Sequence, residues 1–411
     1  MMSSETETNV ATAPPTPASK RLISRWLLGH LSRETSSGRF IPEMDGLRFV
    51  AIGMVFLFHL NGYLTVKSAA HYSAPPSGWL VQSALVGFRG VELFFVISGF
   101  ILGLPFAAHY LKGRPRVGLS KYYLRRLTRL EPPYFVAVIG LFLLALWVKG
   151  ESAGGLLPHL LASLSYLHDL VYAAPSSVIG VAWSLEIEVQ FYLLVPLLTL
   201  LFAVGDTWLR RSSMLGLIVV VLVLQSVLLH GSPRAALSIL GYVQFFLAGF
   251  LLADVFLVSW NESPRRAFYW DIVALAGWPV LFVVLQHPRL THWTFPALVL
   301  FLYIAAFRGR LMNWFFSNRW ITAIGGMCYS IYLIHYEVIS AAGRLTKRVS
   351  EGLPYWAHLS VQIVLVGAAV LLVCGLYFVL LEKPCMRRDW PRRLWARLRR
   401  SPVPGSVESP V

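Results

Sequence analysis

The sequence predicts an all-α integral membrane protein, a polytopic helical bundle with about ten transmembrane helices and both termini in the cytoplasm. Of its 411 residues, 56% are hydrophobic and only 14% are charged, whereas a soluble domain carries roughly 25% charged residues. The apolar residues stand in long runs, and a helix of about 20 such residues crosses a bilayer core of roughly 30 Å. The alternating strands of about 10 residues that a membrane barrel requires are not found in the sequence.

Ten apolar runs mark the predicted spans, and each run is interpreted as one helix. In chain order they cover 43–64, 85–110, 131–149, 180–204, 213–230, 235–258, 268–286, 294–308, 320–342 and 356–381. They form a membrane domain at 40–385, flanked by a basic N-terminal segment at 1–39 and a basic tail at 386–411. The start of the N-terminal segment has a composition typical of disorder, and its basic second half is amphipathic enough to lie along the cytoplasmic membrane surface.

The basic residues give the chain a net charge of +16, but they are gathered in alternate short loops and at both ends. This distribution follows the positive-inside rule and argues against nucleic acid as a partner. The rule puts both termini, and the strongly basic loop at 111–130, on the cytoplasmic side of a plasma or inner membrane. Membrane lipids are therefore expected around the chain, and nucleic acid is not.

The three cysteines give no sign of a metal or redox site. Cys328, Cys374 and Cys385 lack the spacing of a metal-ligand set. Two of them lie in apolar runs, where a thiol packs as a small apolar group. We therefore predict no metal ion and no permanently bound cofactor.

The first predicted helix carries two costly side chains, Arg48 and His59. An ionisable group inside a transmembrane helix costs several kcal/mol, so it needs a partner, a cavity or a function. The two residues are 11 positions apart, which puts them within about 20° of each other on one face and about 16 Å apart along the axis. With the N-terminus inside, Arg48 lies near the cytoplasmic end and His59 near the outer end. His59 is either a general base, a role that suits neutral imidazole, or a core histidine with satisfied hydrogen bonds.

Two glutamates open the fourth predicted helix, in the same outer half as His59. Glu186 and Glu188 differ by about 200° around a helix, so they cannot both face one cavity. Glu186 shares a face with Gln190, and we favour it as the carboxylate that orients the imidazole of His59, as the acid does in a Ser-His-Asp triad. Glu188 is the alternative.

Two further positions complete this outer layer. Arg89 and Glu92 are three residues apart in the second helix and can form an ion pair. His335 follows Tyr332 by three residues in the ninth helix, so both lie on one face, and His335 is a further catalytic candidate. A purely structural role remains open at each position.

The inner layer is basic. Arg125, Arg126 and Arg129 lie at the end of the basic loop before the third helix, and guanidinium groups bind phosphate through two parallel hydrogen bonds. They form either an anion clamp for a phosphorylated cytosolic molecule or ordinary positive-inside charge. Arg48 and Glu382 are predicted to lie at the same depth.

These residues fall into an ordered set of motifs that resembles the acyltransferase family 3 membrane acyltransferases. The resemblance runs from about Pro42 to Pro384, and its specificity comes from several motifs in their expected helices. They are Arg48 with His59, Gly90 to Phe100, Arg125-Arg126-x-x-Arg129, Trp183-Ser184-Leu185-x-x-Glu188, Tyr329-Ser330-x-Tyr332-Leu333-x-His335 and Glu382-x-Pro384.

The resemblance implies an enzyme that acylates, and usually acetylates, a hydroxyl of a carbohydrate or glycoconjugate of the cell envelope. It also implies that the donor is an acyl-CoA, typically acetyl-CoA from the cytoplasm. In the family, the residues matching Arg48 and His59 are essential, and the motif matching Arg125, Arg126 and Arg129 is associated with handling the donor.

Two departures from the family pattern stand out. The family commonly continues from its last motif arginine to an aliphatic residue and then proline, whereas Glu131 precedes Pro132 in this chain. Some members also carry a C-terminal esterase-like domain, whereas this sequence continues into a short tail. We therefore expect the acceptor to be reached without a second catalytic domain.

The combined prediction is acyl transfer through the membrane. The donor's phosphates bind the inner arginines, and its pantetheine arm reaches outward to His59, which either deprotonates the acceptor hydroxyl or carries the acyl group transiently. The alternative function is a transporter or flippase of a lipid-linked glycan, which would use the same charged layers as a pathway. The inverted repeats and paired broken helices common in transporters are not found in the sequence.

Overall fold

The computed structural model describes residues 28–33, 40–67, 78–229, 231–387 and 389–391. Within these ranges the regular elements are all helices, which confirms the all-α prediction. The predicted disordered start, most of the predicted amphipathic segment and the tail after 391 lie outside the described residues.

A helix stands at each of the ten predicted places. We name these helices α1 (Pro42–Lys67), α2 (Gly90–Lys112), α3 (Leu119–Val148), α4 (Trp183–Leu198), α5 (Thr207–Leu228), α6 (Val243–Asp254), α7 (Tyr269–Leu285), α8 (Pro288–Arg308), α9 (Cys328–Thr346) and α10 (Tyr355–Tyr377). The predicted helix at 320–342 is divided into a short helix, Arg319–Gly326, and α9. Another short helix, Ala153–Leu164, was not predicted.

By length and composition, seven of the described helices can cross a membrane. They are Pro42–Lys67, Trp79–Lys112, Leu119–Val148, Gly180–Ala203, Thr207–Leu228, Pro288–Arg308 and Tyr355–Cys385. The helices that contain α6 and α7 are apolar but shorter. The multi-pass membrane class is therefore confirmed, while the count of about ten spans and the cytoplasmic position of both termini stay predictions.

The third helix differs most from its prediction, because it spans Leu119–Val148 without a break instead of starting at 131. Pro132 and Pro133 lie inside it, and a proline leaves the carbonyl four residues earlier without its helical N–H donor. The indole N–H of Trp390 donates to the carbonyl of Thr128 at 2.8 Å, which replaces the bond lost at Pro132. The basic motif therefore lies on a helix rather than in a loop.

Close backbone contacts fix the helices around α1 and α2. A Cβ at Gly99 of α2 would lie only 2.2 Å from the carbonyl oxygen of Phe246 in α6. In the short helix before α9, a Cβ at Gly325 would lie 1.8 Å from the carbonyl oxygen of Asp45 in α1. Small residues that permit such close approach are a usual means of packing helices in membranes.

Three apolar clusters meet near the middle of the fold. One cluster joins α1, α2, α6 and α8. A second joins α1, α9 and α10, and a third joins α3 and α4 with a residue of α9. Polar side chains on α1, α2, α3, α4 and α9 that face the space among these clusters are the candidates for a functional site.

Candidate active site

A cavity of about 430 Å³ lies among α1, α2, α3, α4 and α9. We name it the arginine cavity, because its charged lining is mainly basic. The charged residues that line it are Arg33, Arg48, Lys121, Arg125, Arg126, Arg129, Glu188 and Glu382. All the arginines predicted for the inner layer are therefore brought together, and the excess of cations over carboxylates favours an anionic ligand.

A buried carboxylate organises one wall of the arginine cavity. Asp45 is 1% exposed, and its two oxygens face two different arginines. Arg48 Nη1 donates to Asp45 Oδ1 at 2.5 Å, and Arg33 Nε lies 2.7 Å from Asp45 Oδ2 in an ion pair. Two of the cavity's guanidinium groups are thus fixed by one acid, which limits their movement when no ligand is bound.

The arginine motif supplies the opposite wall from α3. Arg126 Nη1 donates to the carbonyl of Tyr122 at 2.8 Å, and its guanidinium lies over the rings of Tyr122 and Tyr192 at 3.6 and 5.5 Å. The buried Nε atoms of Arg126 and Arg129 have no hydrogen-bond partner among the described residues. An unpaired buried donor is costly, so these two N–H groups fit a site that an anion completes.

The two glutamates of α4 have different environments, as their 200° separation requires. Glu188 lines the arginine cavity, and its Oε1 accepts a hydrogen bond from Ser98 Oγ at 2.7 Å. Glu186 is fully buried and accepts the backbone N–H groups of His168 and Asp169 at 3.2 and 3.0 Å. Of the two glutamates, Glu188 is therefore the one that faces the arginine cavity, because the loop before α4 folds back onto Glu186, and a catalytic role for either glutamate stays a prediction.

Two histidines that do not line the arginine cavity contact each other. The ring centroids of His59 on α1 and His335 on α9 are 5.1 Å apart, and the ring of Tyr336 lies 5.3 Å from that of His59. We name His59 and His335 the histidine pair. Among the described residues His59 has these ring contacts but no hydrogen bond to Glu186 or Glu188, so neither glutamate orients it in the way the sequence suggested.

The hydrogen bonds of His335 define its protonation pattern. Its ring is fully buried, and Nδ1 lies 2.9 Å from the carbonyl oxygen of Ile331 and 3.0 Å from that of Tyr332. Because a carbonyl only accepts, Nδ1 carries the proton and Nε2 carries the lone pair. Nε2 is buried and lacks a hydrogen-bond partner within the described part of the chain, so His335 presents a free acceptor in an apolar setting.

Tyr332 connects the arginine cavity with the histidine pair. It lines the cavity, its hydroxyl lies 3.0 Å from Ser184 Oγ, and it also donates to the carbonyl of Val181. His335 follows one helical turn later on α9, a rise of about 5 Å. The same two helices, α1 and α9, therefore carry both an arginine-cavity residue and a member of the histidine pair.

The predicted Arg89–Glu92 ion pair is confirmed, with Arg89 Nη1 2.7 Å from Glu92 Oε1. The guanidinium of Arg89 also lies 4.8 Å from the ring centroid of Phe88, which packs 5.6 Å from the ring of Phe58, the neighbour of His59. This pair stands beside the histidine pair and does not line the arginine cavity.

Sequence analysis missed three of the polar residues that shape the site. Asp45 had a recognisable signal, because an acid three residues before Arg48 can pair with it on a helix. Ser98 lies within the Gly90 to Phe100 motif, but no local pattern links it to Glu188, 90 positions away. Arg33 had no signal, because nothing in the sequence places the N-terminal segment against the cavity.

The fold and the site define a multi-pass membrane protein in which two helices carry residues of a basic cavity and, further along each helix, one of two histidines in contact. The chain belongs to an acyltransferase family, whose model, described as an acyltransferase domain, matches residues 41–379. This match confirms the family resemblance.

Curated relatives of the chain include proteins named O-acetyltransferase. O-acetyltransferase OatA of Staphylococcus aureus strain NCTC 8325 / PS 47 is 26% identical over 335 residues, which cover 74% of this chain and 51% of the relative. OatA of strain COL matches with the same identity and coverage. The chain thus spans about half the length of these curated relatives. No solved structure matches the chain.

Proposed function

We propose that this protein is a membrane O-acyltransferase that moves an acyl group from an acyl-CoA, most simply acetyl from acetyl-CoA, to a hydroxyl of a carbohydrate or glycoconjugate. The transfer would take place in the plasma or inner membrane. The observation that carries the proposal is the arrangement on α1 and α9, where each helix carries one residue of the arginine cavity and one member of the histidine pair. Membership in the acyltransferase family and the O-acetyltransferase relatives support it.

The arginine cavity suits the phosphates of the donor. Coenzyme A carries several negative charges at one end and a long, thin arm that ends in the thioester. Arg48, Arg126 and Arg129 line the cavity, and arginine binds phosphate through paired hydrogen bonds. The arm would then extend past Tyr332, over a distance comparable to the rise of about 16 Å from Arg48 to His59.

The histidine pair suits the chemistry. His59 would take the proton from the acceptor hydroxyl, whose oxygen then forms a bond to the thioester carbonyl carbon. The C–S bond breaks, the coenzyme A thiolate leaves, and the proton passes from the imidazolium to the thiolate. In the relayed route, the ring nitrogen of His59 attacks the thioester carbonyl carbon and the C–S bond breaks, which releases the thiolate. The acceptor oxygen then attacks the acyl carbon, the C–N bond to His59 breaks, and the proton of the hydroxyl passes to the thiolate. His335, fixed through Nδ1, stands where it can position His59 or the incoming hydroxyl.

The test is acyl transfer by purified protein in vesicles supplied with labelled acetyl-CoA and a glycan acceptor. We expect His59→Ala to lower kcat by about 10²–10⁴-fold, the usual contribution of a general base, and to leave binding of acetyl-CoA unchanged. His287→Ala is the matched control, because that histidine is exposed at the start of α8. Transfer that survives His59→Ala would overturn the assignment of the base, and glycan movement without acylation would overturn the proposed function.

A further inference from the structure

We propose that Arg33, which precedes the family domain, is an additional ligand for the phosphates of the acyl-CoA donor. We also propose that the segment at 28–33 is positioned over the arginine cavity by the chain that follows α10. The inference rests on the proposed function, because it assumes the same donor. It adds a donor-binding residue from outside the matched region, 41–379.

The position of Arg33 is the first argument. It lines the arginine cavity together with Arg48, Arg129 and Glu382. Its side chain is only 11% exposed, although it belongs to a segment that sequence analysis placed on the membrane surface. A surface arginine would keep its guanidinium in water, whereas this one is directed into the bundle.

The charges around Asp45 also favour an anion next to Arg33. Asp45 is already bound by Arg48 at 2.5 Å, so Arg33 shares a carboxylate that another cation uses. Burial and the neighbouring positive charges of Arg48 and Arg129 lower the pKa of Arg33 to about 10, which still leaves it protonated at neutral pH. Cations held this close favour an anion between them, and a phosphate is the anion that arginine groups bind best.

Hydrogen bonds attach the segment at 28–33 to the chain that follows α10. Lys383 Nζ donates to the carbonyls of Gly29 and His30, both at 2.8 Å. Lys383 directly follows Glu382, which lines the cavity. The side chain of Arg33 also packs against Gly326, where an added Cβ would lie 3.7 Å from it. The segment is therefore fixed to the ends of two elements that already contribute to the site, as a donor ligand requires.

The competing explanation is that Arg33 only neutralises Asp45 and holds the segment in place. The two explanations differ in what they predict for the donor. A purely structural arginine would change thermal stability and leave the KM for acetyl-CoA unchanged, whereas a phosphate ligand would change KM and leave kcat nearly unchanged. Measuring KM and kcat separately therefore distinguishes the two explanations.

The experiment compares Arg33→Ala and Arg33→Lys in the full chain, using acetyl-CoA binding, donor kinetics and thermal unfolding in the same detergent. We expect Arg33→Ala to raise both Kd and KM for acetyl-CoA roughly tenfold, the loss of one charged hydrogen-bonding group, with kcat within about twofold. Arg33→Lys should recover part of the affinity, because it keeps the charge but not the guanidinium fork. Arg266→Ala, an exposed arginine outside the cavity lining, is the control.

A second variant keeps the test valid if Arg33→Ala does not fold. Lys383→Met removes the attachment to Gly29 and His30 but leaves Arg33 intact, and we expect it to raise the KM for acetyl-CoA by a smaller factor in the same direction. Normal acetyl-CoA binding by Arg33→Ala, or by Lys383→Met if only that variant folds, would overturn the inference and leave the proposed function standing. Absence of acetyl-CoA binding by the unaltered protein would overturn the proposed function itself.

Discussion

The arginine cavity and the histidine pair differ in almost every physical property. The cavity holds several cations, shared carboxylates and buried N–H groups that lack a partner in the described structure. The histidine pair contacts the aromatic rings of Phe58 and Tyr336, and the buried Nε2 of His335 lacks a hydrogen-bond partner in the described structure. A binding site needs the first set of properties, and a proton acceptor needs the second.

This difference indicates that donor binding and proton transfer are assigned to different positions along the same two helices. α1 carries Arg48 at one end and His59 about three turns later, and α9 repeats the order with Tyr332 and then His335. Substitutions at the cavity should therefore change donor binding, and substitutions at the histidine pair should change the rate.

The strongest test of the division at the cavity is Arg129→Gln. We expect the KM for acetyl-CoA to rise by about 10- to 100-fold, because a buried, charged donor that faces the ligand is lost, while kcat changes by less than about threefold. The effect should shrink at high salt, which screens the remaining charges. Steady-state kinetics at two salt concentrations measure the rise in KM and its salt dependence. Arg310→Gln is the control, because Arg310 is exposed.

A large drop in kcat with an unchanged KM would contradict this prediction. It would mean that Arg129 acts on the reacting atoms, and that the two ends of the bundle are not separate in function.

The two glutamates of α4 provide the second test, because only Glu188 lines the cavity. Glu186→Gln should lower the free energy of unfolding by about 2 kcal/mol, since an amide cannot accept both backbone N–H groups now bound by the carboxylate. Glu188→Gln should leave the melting temperature within a few degrees and alter donor kinetics instead. Thermal unfolding and donor KM, measured on both variants, give the comparison.

The opposite pattern would restore the assignment made from sequence. If Glu186→Gln folded normally and lost turnover, its carboxylate would be acting in catalysis rather than holding the loop that carries His168 and Asp169.

Sequence patterns predicted the parts of the site that depend on one helix. Arg48 and His59 share a face of α1 by helical geometry alone, and the Arg89–Glu92 ion pair follows from the same local rule. Residues that act through distant partners could not be predicted this way. Arg210 lies in the short segment between the predicted spans 180–204 and 213–230, yet it is 1% exposed because Asp254, 44 positions away, accepts from its Nε at 2.5 Å.

The sequence could not show which of the two glutamates faces the arginine cavity, for the same reason. Spacing showed that Glu186 and Glu188 face different directions, but only the folded loop before α4 decides which direction is the cavity. Likewise, the helix through Pro132 depends on a donor from Trp390, and no local pattern links those positions.

The smallest effect on donor kinetics is expected for Asp169, in the loop outside the membrane-spanning helices. Its side chain is fully buried, and both carboxylate oxygens lack a hydrogen-bond partner among the described residues. Burial raises the pKa of Asp169 to about 7, so the folded protein holds this proton to a higher pH than the unfolded chain does. The stabilising contribution of the protonated form is complete below about pH 4 and is lost as the pH rises to about 7, at no more than about 1.4 kcal/mol per pH unit.

Asp169→Asn should remove that pH dependence, because the amide stays neutral and has nearly the same shape. Its stability relative to the unaltered protein should rise steadily between pH 4 and 7 and then stay constant, as measured by thermal unfolding across this range. Parallel curves for the two proteins would show that Asp169 is ionised in the folded state, paired with the nearby His168, whose Nδ1 lies 3.8 Å away. The KM for the donor should be the same in the variant and the unaltered protein, because Asp169 does not line the arginine cavity.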